Sequence, residues 1–270
     1  MLVFAVFAPF VAALFAPLLT RRLGARAGWP LALAFVPAFA LALFVPAALS
    51  GAPATGELVW VPGLNLSLAF RADGFSLLFA LLVAAMGVLV TVYATSYLGE
   101  GERHGRFYGL LLLFAGAMLG LVLADNLYAL FAFWELTSVA SFLLIGFWDD
   151  REAAQDGAVK ALVVTAAGGL ALLVAVILLS LAGGSVNLSE LDVAAVRGSP
   201  SFAPLLGLLL FAALTKSAQL PFHLWLPTAM EAPTPISAFL HSATMVKAGI
   251  VLLAKFAPLF AATFWSDGLL

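Results

Sequence analysis

Long apolar runs, separated by short charged or Gly/Pro-rich stretches, follow one another along almost the entire chain. An α-helix needs about 20 consecutive apolar residues to cross a bilayer, and only helices and closed barrels satisfy their backbone polar groups in lipid. Hydrophobic residues make up 64% of the 270 residues and charged residues only 10%, whereas soluble domains are roughly 45–50% apolar. The chain is therefore expected to be an all-α, polytopic membrane protein.

The apolar runs predict about eight transmembrane spans. Their approximate limits are 2–20, 29–49, 74–98, 108–124, 127–148, 158–182, 204–227 and 236–260. Residues 50–72 are rich in Gly and Pro and are expected to form a loop, in which the alternating residues 64–68 favour a short hairpin or strand. Because only residues 124–127 separate the fourth span from the fifth, these two spans are expected to be antiparallel neighbours.

The distribution of Lys and Arg between alternate loops predicts the orientation in the membrane. The loops after the second and sixth spans carry Arg71 and Arg197, and the loops after the first, third and fifth spans carry more basic residues. Those residues are Arg21, Arg22, Arg26, Arg103, Arg106, Arg151 and Lys160. Because basic loops favour the cytoplasmic side, we expect an inner or plasma membrane protein with its N-terminus outside and the 50–72 loop on the extracellular side.

Four ionisable side chains lie inside the apolar runs. Glu135 falls in the fifth span, Lys216 in the seventh, and His241 and Lys247 in the eighth. A charge at the centre of a bilayer costs roughly 2.5–3.5 kcal/mol on insertion scales, and such residues commonly mark ion or proton pathways. Their positions therefore predict a proton relay through the membrane.

The seventh span carries Pro221 in mid-membrane, where a proline removes one backbone hydrogen bond and clashes with the preceding turn. The helix is expected to break there, as discontinuous helices do in transporters. Lys216 and His223 flank the expected break. The alternative is a proline-kinked structural helix whose Lys216 extends to a membrane interface.

Glu135 and Lys216 are expected to act as a pair. A carboxylate in the membrane stays charged if a cation lies within about 4–6 Å, and Lys216 is the obvious candidate. Bringing the groups together would hold both charged, and separating them would favour a neutral lysine and a released proton, which is a mechanism for pumping. The alternative is a static ion pair that fixes helix packing.

The eighth span adds two further candidates for the relay. His241 and Lys247 are offset by about 120° around a regular α-helix, so we expect them to line adjacent sides of one channel. Histidine is well suited to passing protons near neutrality, although a purely structural histidine is the alternative. Lys255, near the helix end, is expected to extend its ammonium to the interface.

Composition argues against several other classes. The chain has no Cys, which excludes disulfides, thiol catalysis and thiolate-held iron–sulfur clusters. No basic block suggests nucleic-acid binding, and no Gly-rich phosphate-binding loop is present. We expect no cofactor, no metal site and no enzyme activity of this chain's own.

Two segments carry a resemblance to a known family. Residues 124–148 read ADNLYALFAFWELTSVASFLLIGFW, and residues 215–250 read TKSAQLPFHLWLPTAMEAPTPISAFLHSATMVKAGI. They are similar to the antiporter-type subunits shared by complex I and the multisubunit Mrp cation/proton antiporters, and WELTS followed by SFLLIGFW is closer to the large subunit of the Mrp antiporters. The resemblance implies an inverted repeat of two five-helix bundles behind three leading helices.

The resemblance also implies roles for individual residues. Glu135 would pair with Lys216 of the broken seventh helix, and His241 and Lys247 would continue the proton path laterally through the membrane. His223 would lie near this path.

The same resemblance divides the chain into three parts. Residues 1–98 would form the leading helices, 99–260 the first five-helix repeat, and 261–270 the start of a connection to a second repeat that the sequence lacks. We therefore expect the N-terminal part of a longer subunit, or a subunit whose second half is encoded separately.

The expected function is that of a proton-translocating subunit of a multisubunit Na+/H+ antiporter, a secondary transporter. Its expected partners are other subunits of the complex, protons, Na+ or another monovalent cation, and the lipid bilayer. One alternative is a proton-pumping membrane subunit of complex I or of a membrane hydrogenase. Another is a scaffold subunit with a vestigial charge pair.

Overall fold

The structure is a computed structural model that describes residues 1–61, 66–99 and 103–261. Helices account for most of this part of the chain. The α-helices are α1 Leu2–Leu23, α2 Gly28–Ala32, α3 Val36–Phe39, α4 Val45–Leu49, α5 Gly74–Tyr97, α6 His104–Leu123, α7 Leu127–Ile145, α8 Glu152–Gly183, α9 Val193–Gly198, α10 Phe202–Lys216, α11 Trp225–Thr228, α12 Thr234–Ala238, α13 Ala248–Lys255 and α14 Ala257–Phe260. The strands are β1 Ala54–Val61 and β2 Leu66–Ala72.

Shorter 3₁₀ and π turns connect or interrupt these helices. The 3₁₀ turns are Gly24–Ala27, Leu33–Phe35, Ala40–Phe44, Leu188–Glu190, Phe222–Leu224, Ala229–Glu231 and Met245–Lys247. A π-helical turn covers Phe239–Ala243. Several of these turns lie in the second, seventh and eighth predicted spans, so those spans depart from regular α-helix.

Six stretches of the described residues are long and apolar enough to cross a membrane. They are Leu2–Leu49, Gly74–Tyr97, His104–Leu123, Leu127–Ile145, Glu152–Gly183 and Thr234–Lys255, and Phe202–Lys216 is a shorter apolar helix. Each predicted span falls on one of these segments, and the first two share Leu2–Leu49. The predicted class, an all-α polytopic membrane protein, is confirmed.

The second predicted span, 29–49, is helical but is not one regular α-helix. Gly24, with a φ of 55°, ends the first long helix, and the following residues fold back onto α1 and α5. Pro37 and Pro46 each stand at the start of a short α-helix, because a proline is tolerated in the first turn but not in a helix interior. The sequence therefore alternates α and 3₁₀ turns where a continuous span was predicted.

A two-stranded antiparallel hairpin occupies the predicted loop between the second and third spans. Ala54 of β1 pairs with Ala72 of β2, and the pairing continues to Val61 and Leu66 with an irregularity between Val59 and Val61. The hairpin predicted from alternation is confirmed for the part that begins at Leu66, and residues 62–65 lie outside the described residues. Its second strand is tied to the bundle, since the Asp125 amide donates to the Ala69 carbonyl at 2.8 Å.

Helix α6 forms the centre of the bundle. Every residue from Phe114 to Leu123 is buried, and the helix packs against α1, α5 and α7. The turn to α7 is short because Asn126 caps the next helix: its Oδ1 accepts hydrogen bonds from the amides of Tyr128 and Ala129. The predicted neighbour pair of the fourth and fifth spans is confirmed.

Helix α8 is 32 residues long and links the two helices that carry the candidate acid and lysine. It packs against α7 on one side and against α10 on another. At about 1.5 Å per residue its length is about 48 Å, more than the roughly 30 Å hydrocarbon core of a bilayer. This one long helix therefore contacts both α7 and α10 and sets their positions relative to each other.

Candidate functional site

Lys216 is the last residue of α10 and is completely buried, with 0% exposure. Its Nζ donates to the Trp134 carbonyl at 3.1 Å and to the Ser138 hydroxyl at 2.7 Å, both on α7. It also lies 5.1 Å from the centroid of the Trp134 ring, within the range of a cation–π interaction. The alternative in which Lys216 extends to an interface is wrong, because hydrogen bonds to α7 hold the ammonium inside the bundle.

The seventh span is broken, as predicted, but the α-helix ends at Lys216, before Pro221 is reached. Ala218 has a positive φ of 50°, and the next helical turn begins at Phe222. The Trp225 indole N–H donates to the Thr215 carbonyl at 3.0 Å across the break. A carbonyl released by the broken helix therefore receives a side-chain donor from the segment that follows.

Glu135 lies next to Trp134 on α7, and its carboxylate is directed at α8. Its Oε1 is buried, and in the described part of the chain it accepts no hydrogen bond. This oxygen occupies the space where Gly169 of α8 would carry a Cβ. The carboxylate is thus held by close packing rather than by donors.

Glu135 and Lys216 are brought into one site but not into direct contact. Among the described residues, the ion pairs within 4.0 Å are those of Asp149 with Arg103 and Arg106. The Glu135 and Lys216 charges nevertheless act on each other electrostatically. Lys216 is hydrogen-bonded to the backbone and hydroxyl groups on either side of Glu135 in α7, and the expected pairing of the two charges stays a prediction.

His241 lies in the π-helical turn Phe239–Ala243. Both of its ring nitrogens are buried and make no hydrogen bond to the described residues, and its ring centroid is 6.2 Å from that of Trp225. The regular α-helix on which the expected 120° offset from Lys247 depends is absent here, because a π turn and the 3₁₀ turn Met245–Lys247 replace it. Such π turns occur often at functional sites.

The seventh and eighth spans meet where both are irregular. The Ser217 hydroxyl donates to the Val246 carbonyl at 2.7 Å, next to Lys247. Lys247 is half-buried, whereas His223 is exposed. Glu135, Lys216 and the irregular turns of the eighth span therefore lie close to α7 and α10. His223 lies apart from them, at the surface of the chain.

Lys255 does not extend to an interface as expected. Its Nζ donates to the Ala124 carbonyl at 2.9 Å and lies 3.5 Å from the Ser76 hydroxyl. The carboxylates of Asp73 and Asp125 act on it electrostatically. The ammonium is turned inward because the C-terminal end of α6 and two acids provide a local site for a cation.

Sequence reasoning missed several groups that complete the site. Ser138 follows Glu135 by three residues and so lies on the same side of a helix, a signal that would have identified it. Trp225 and the adjacent glycines Gly168 and Gly169 gave no such signal, because their partners are distant in sequence.

A second charged cluster lies just beyond the C-terminal end of α7, whereas the partners of Lys255 lie near its N-terminal end. Arg103 and Arg106 both donate to the Asp149 carboxylate, at 2.7–2.8 Å. These two guanidinium groups hold the pKa of Asp149 well below its usual range, and the carboxylate raises the pKa of Arg103. The loops after the third and fifth spans therefore meet on one side of the bundle.

Discontinuous helices and buried ionisable side chains define the class of this molecule, a polytopic membrane protein with features that commonly mark ion pathways. The family described as "NADH:quinone oxidoreductase/Mrp antiporter, TM" matches residues 124–270, which is more than half of the chain. The chain belongs to this family. The description "NADH-Ubiquinone oxidoreductase (complex I), chain 5 N-terminus" matches residues 59–108.

Individual relatives agree with the family. The chain is 47% identical over 266 residues to the A1 subunit of the Na(+)/H(+) antiporter of Staphylococcus haemolyticus, covering 95% of this chain and 32% of the relative. It is 47% identical over 268 residues to the A/B subunit of the probable K(+)/H(+) antiporter of Rhizobium meliloti, covering 97% and 27%. The chain thus spans between about a quarter and a third of the length of these curated relatives.

A solved structure also matches the fold. The Mrp complex from Dietzia sp. DQ12-45-1b contains a chain that is 40% identical, with a TM-score of 0.88, covering 100% of this chain and 29% of that one. Together with the names of the relatives, this confirms the resemblance to the large Mrp subunit that the two motifs carried.

Proposed function

We propose that this chain provides the proton-translocating part of a subunit of a multisubunit cation/proton antiporter. In this proposal protons move through Glu135, Lys216, His241 and Lys247, and their flow drives export of Na+ or another monovalent cation. The observation that carries the proposal is Lys216, a fully buried lysine at a helix break, hydrogen-bonded to residues on both sides of the half-buried Glu135. Such an arrangement is costly in a membrane and fits an ion pathway.

The proposed exchange between Glu135 and Lys216 follows from their mutual electrostatic interaction. When Glu135 takes up a proton, the counter-charge that stabilises the Lys216 ammonium disappears, and Lys216 is favoured to release its proton. When Glu135 is ionised again, the ammonium is stabilised. Interacting groups of this kind gain and lose protons as a set, so one pair can alternate between two states.

The onward step is proposed to run from Lys216 to His241. An imidazole with two buried nitrogens, each without a hydrogen-bond partner among the described residues, can accept a proton at one nitrogen and donate from the other. The Trp225 indole joins the two regions, since it donates to Thr215 beside Lys216 and lies against the His241 ring. Lys247 follows on the same broken span, and exposed His223 is the point from which the path would reach another part of the assembly.

A second candidate function is a proton-pumping membrane subunit of an NADH:quinone oxidoreductase or membrane hydrogenase. The match of residues 59–108 to a complex I subunit supports it. Names of relatives at 47% identity favour the antiporter. A scaffold with a vestigial charge pair is the third possibility, and it predicts that neutral substitutions at Glu135 and Lys216 leave transport intact.

Orientation and surroundings form part of the proposal. We place the chain in the cell membrane with its N-terminus outside, among other subunits of the complex. Arg103 and Arg106 meet Asp149 on one side, which fits the loops after the third and fifth spans sharing the cytoplasmic face. Because the chain has no Cys, single cysteines introduced in these loops and labelled from either side of intact cells would test this orientation.

The decisive test is Na+-driven proton movement in inverted vesicles that contain the full complex. Glu135→Gln is compared with wild type and with Glu57→Gln, which makes the same chemical change on an exposed strand residue. We expect Glu135→Gln to abolish exchange while the complex still assembles, and Glu57→Gln to behave as wild type. Unchanged transport in Glu135→Gln would favour the scaffold function, and proton movement that requires NADH instead of Na+ would favour the redox pump.

A further inference from the structure

Two adjacent glycines on α8 receive groups from the two helices that carry the candidate acid and lysine. A Cβ built on Gly169 would overlap Oε1 of Glu135, and a Cβ built on Gly168 would overlap Oγ1 of Thr215. Both separations are shorter than any real Cβ contact, and Thr215 is the neighbour of Lys216. Consecutive residues of one helix therefore contact both sides of the proposed exchange.

Packing, rather than hydrogen bonding, fixes the Glu135 carboxylate. Its Oε1 is buried and accepts no hydrogen bond from the described residues, so no donor holds it in place. The Thr215 hydroxyl donates to carbonyls of its own helix, those of Phe211 and Ala212, and packs against Gly168. The position of each group is thus set by how closely α8 allows it to approach.

We propose that Gly168 and Gly169 form a seat that sets the separation of Glu135 from Lys216, with Gly169 as a positioning residue for the acid. This inference rests on the proposed function. A methyl group at residue 169 would push the carboxylate away from α8, and a methyl group at residue 168 would push back the end of α10. Either change alters the distance over which a proton must pass.

The chain offers a matched control for the extra methyl group. Gly207 lies in the interior of α10, is exposed, and has no heavy atom within 4 Å of an added Cβ. Alanine is a better helix former than glycine at both places, so Gly169→Ala and Gly207→Ala share every general effect of the substitution. They differ in whether the methyl group meets Glu135.

The test uses the full antiporter complex in vesicles, with Na+-driven proton movement measured across a range of pH. A misplacement of about 1 Å can cost on the order of a hundredfold in a positioned reaction, so we expect Gly169→Ala to lower the rate at least about tenfold and to displace the pH profile. Gly207→Ala should match wild type. A wild-type rate and pH profile in Gly169→Ala would overturn the proposal.

A second-site change distinguishes positioning from general damage. Glu135→Asp withdraws the carboxylate by one methylene, which should lower transport in the wild-type background but raise it in the Gly169→Ala background. If Glu135→Asp is equally harmful in both backgrounds, Gly169 does not position the acid. Assembly of each variant is checked by the yield of intact complex.

An infrared measurement separates this inference from the proposed function. The band of the protonated Glu135 carboxyl, identified by its loss in Glu135→Gln, should shift in Gly169→Ala and stay unchanged in Gly207→Ala. If Glu135→Gln leaves transport intact, the proposed relay is wrong, but a band shift in Gly169→Ala still shows that Gly169 positions the carboxyl group. If the band is the same in Gly169→Ala as in wild type, Gly169 does not position this group, whatever the transport result.

Discussion

Lys216 and Lys255 make the same kind of hydrogen bonds, and yet their surroundings differ. Each lies near a serine hydroxyl and donates to one backbone carbonyl: Ser138 and Trp134 for Lys216, Ser76 and Ala124 for Lys255. The Ala124 carbonyl is at the C-terminal end of α6, where the helix dipole favours a cation. The Trp134 carbonyl lies inside α7 and offers no such end.

The acids around the two lysines also differ, in their number and in their hydrogen bonds. Lys255 is influenced by two carboxylates, Asp73 and Asp125, and both are hydrogen-bonded, to Ser76 and to Ser189 respectively. Among the described residues, the one carboxylate that influences Lys216 is that of Glu135, and the buried Oε1 of Glu135 accepts no hydrogen bond from them. The comparison teaches that hydrogen bonds to the two lysines are alike, and that the difference between Lys255 and the exchanging site proposed for Lys216 lies in whether the neighbouring carboxylates are themselves hydrogen-bonded.

The largest expected effect is that of Lys216→Met. A positioned proton donor or acceptor contributes about 10²–10⁴-fold, so proton movement should fall at least about a hundredfold. The complex should still assemble, because Glu135 can take up a proton when its counter-charge is removed and the Trp134 carbonyl keeps the Thr137 and Ser138 hydroxyls as donors. Lys160→Met, the same change at an exposed residue of α8, is the control, and transport retained by Lys216→Met would erase the distinction between the two lysines.

Ser138→Ala probes the same site more gently. Hydrogen bonds to charged groups contribute about 1.5–3 kcal/mol, so transport should fall on the order of tenfold, and Ser138→Thr should restore most of it by keeping the hydroxyl. Ser141→Ala serves as the control, because that hydroxyl donates to the Ser138 carbonyl of the same helix. Equal rates for the two alanine variants would show that the Ser138 hydroxyl does not support Lys216.

Lys255→Met should reverse the pattern of Lys216→Met. It leaves the Ala124 carbonyl without its donor, and an unsatisfied buried group costs about 1–3 kcal/mol, so thermal unfolding of the purified complex should occur at lower temperature. Transport per assembled complex should change by less than about twofold, equivalent to about 0.4 kcal/mol of barrier. A loss of transport as large as that of Lys216→Met would place Lys255 on the proton path and break the comparison.

The smallest effect is expected at the charged cluster on the cytoplasmic side of the proposed orientation. The pKa of Asp149 is lowered by Arg103 and Arg106, so its stabilising contribution is complete above the ordinary Asp value of about 4 and is lost as the pH falls through the lowered pKa. Asp149→Asn should therefore lower the melting temperature slightly at neutral pH, less at high salt, and progressively less below about pH 4. A difference from wild type that persists unchanged to the lowest pH would contradict this account.

Apolar length and proline placement were enough to predict much of the fold. The short turn between the fourth and fifth spans forced α6 and α7 together, and Pro221 correctly indicated a break in the seventh span. The place where α10 ends was not predictable from the proline alone, because the turn after Lys216 depends on the positive φ of Ala218 and on hydrogen bonds made by Ser217 and Trp225.

The sequence predicted which residues belong to the candidate site better than it predicted how they are arranged. Burial of Lys216 near Glu135 followed from placing charges in apolar spans, but the offset between His241 and Lys247 assumed 3.6 residues per turn, and a π turn replaces the regular helix there. Lys255 was misjudged because its partners, Ser76 and Ala124, are distant in sequence. The contact between Glu135 and Gly169 could not be predicted for the same reason. The roles of these residues in proton transfer, and the division of the chain into leading helices and a first repeat, stay predictions.

The indole bond from Trp225 to Thr215 affects how often the break in the seventh span can open. Losing this bond leaves the buried indole N–H unsatisfied, which costs about 1–3 kcal/mol, so the two halves of the span would be apart in a minority of molecules, roughly one in five to one in 150. The state with the break closed would therefore predominate in the proposed proton path, and the open state would be a minor but accessible one.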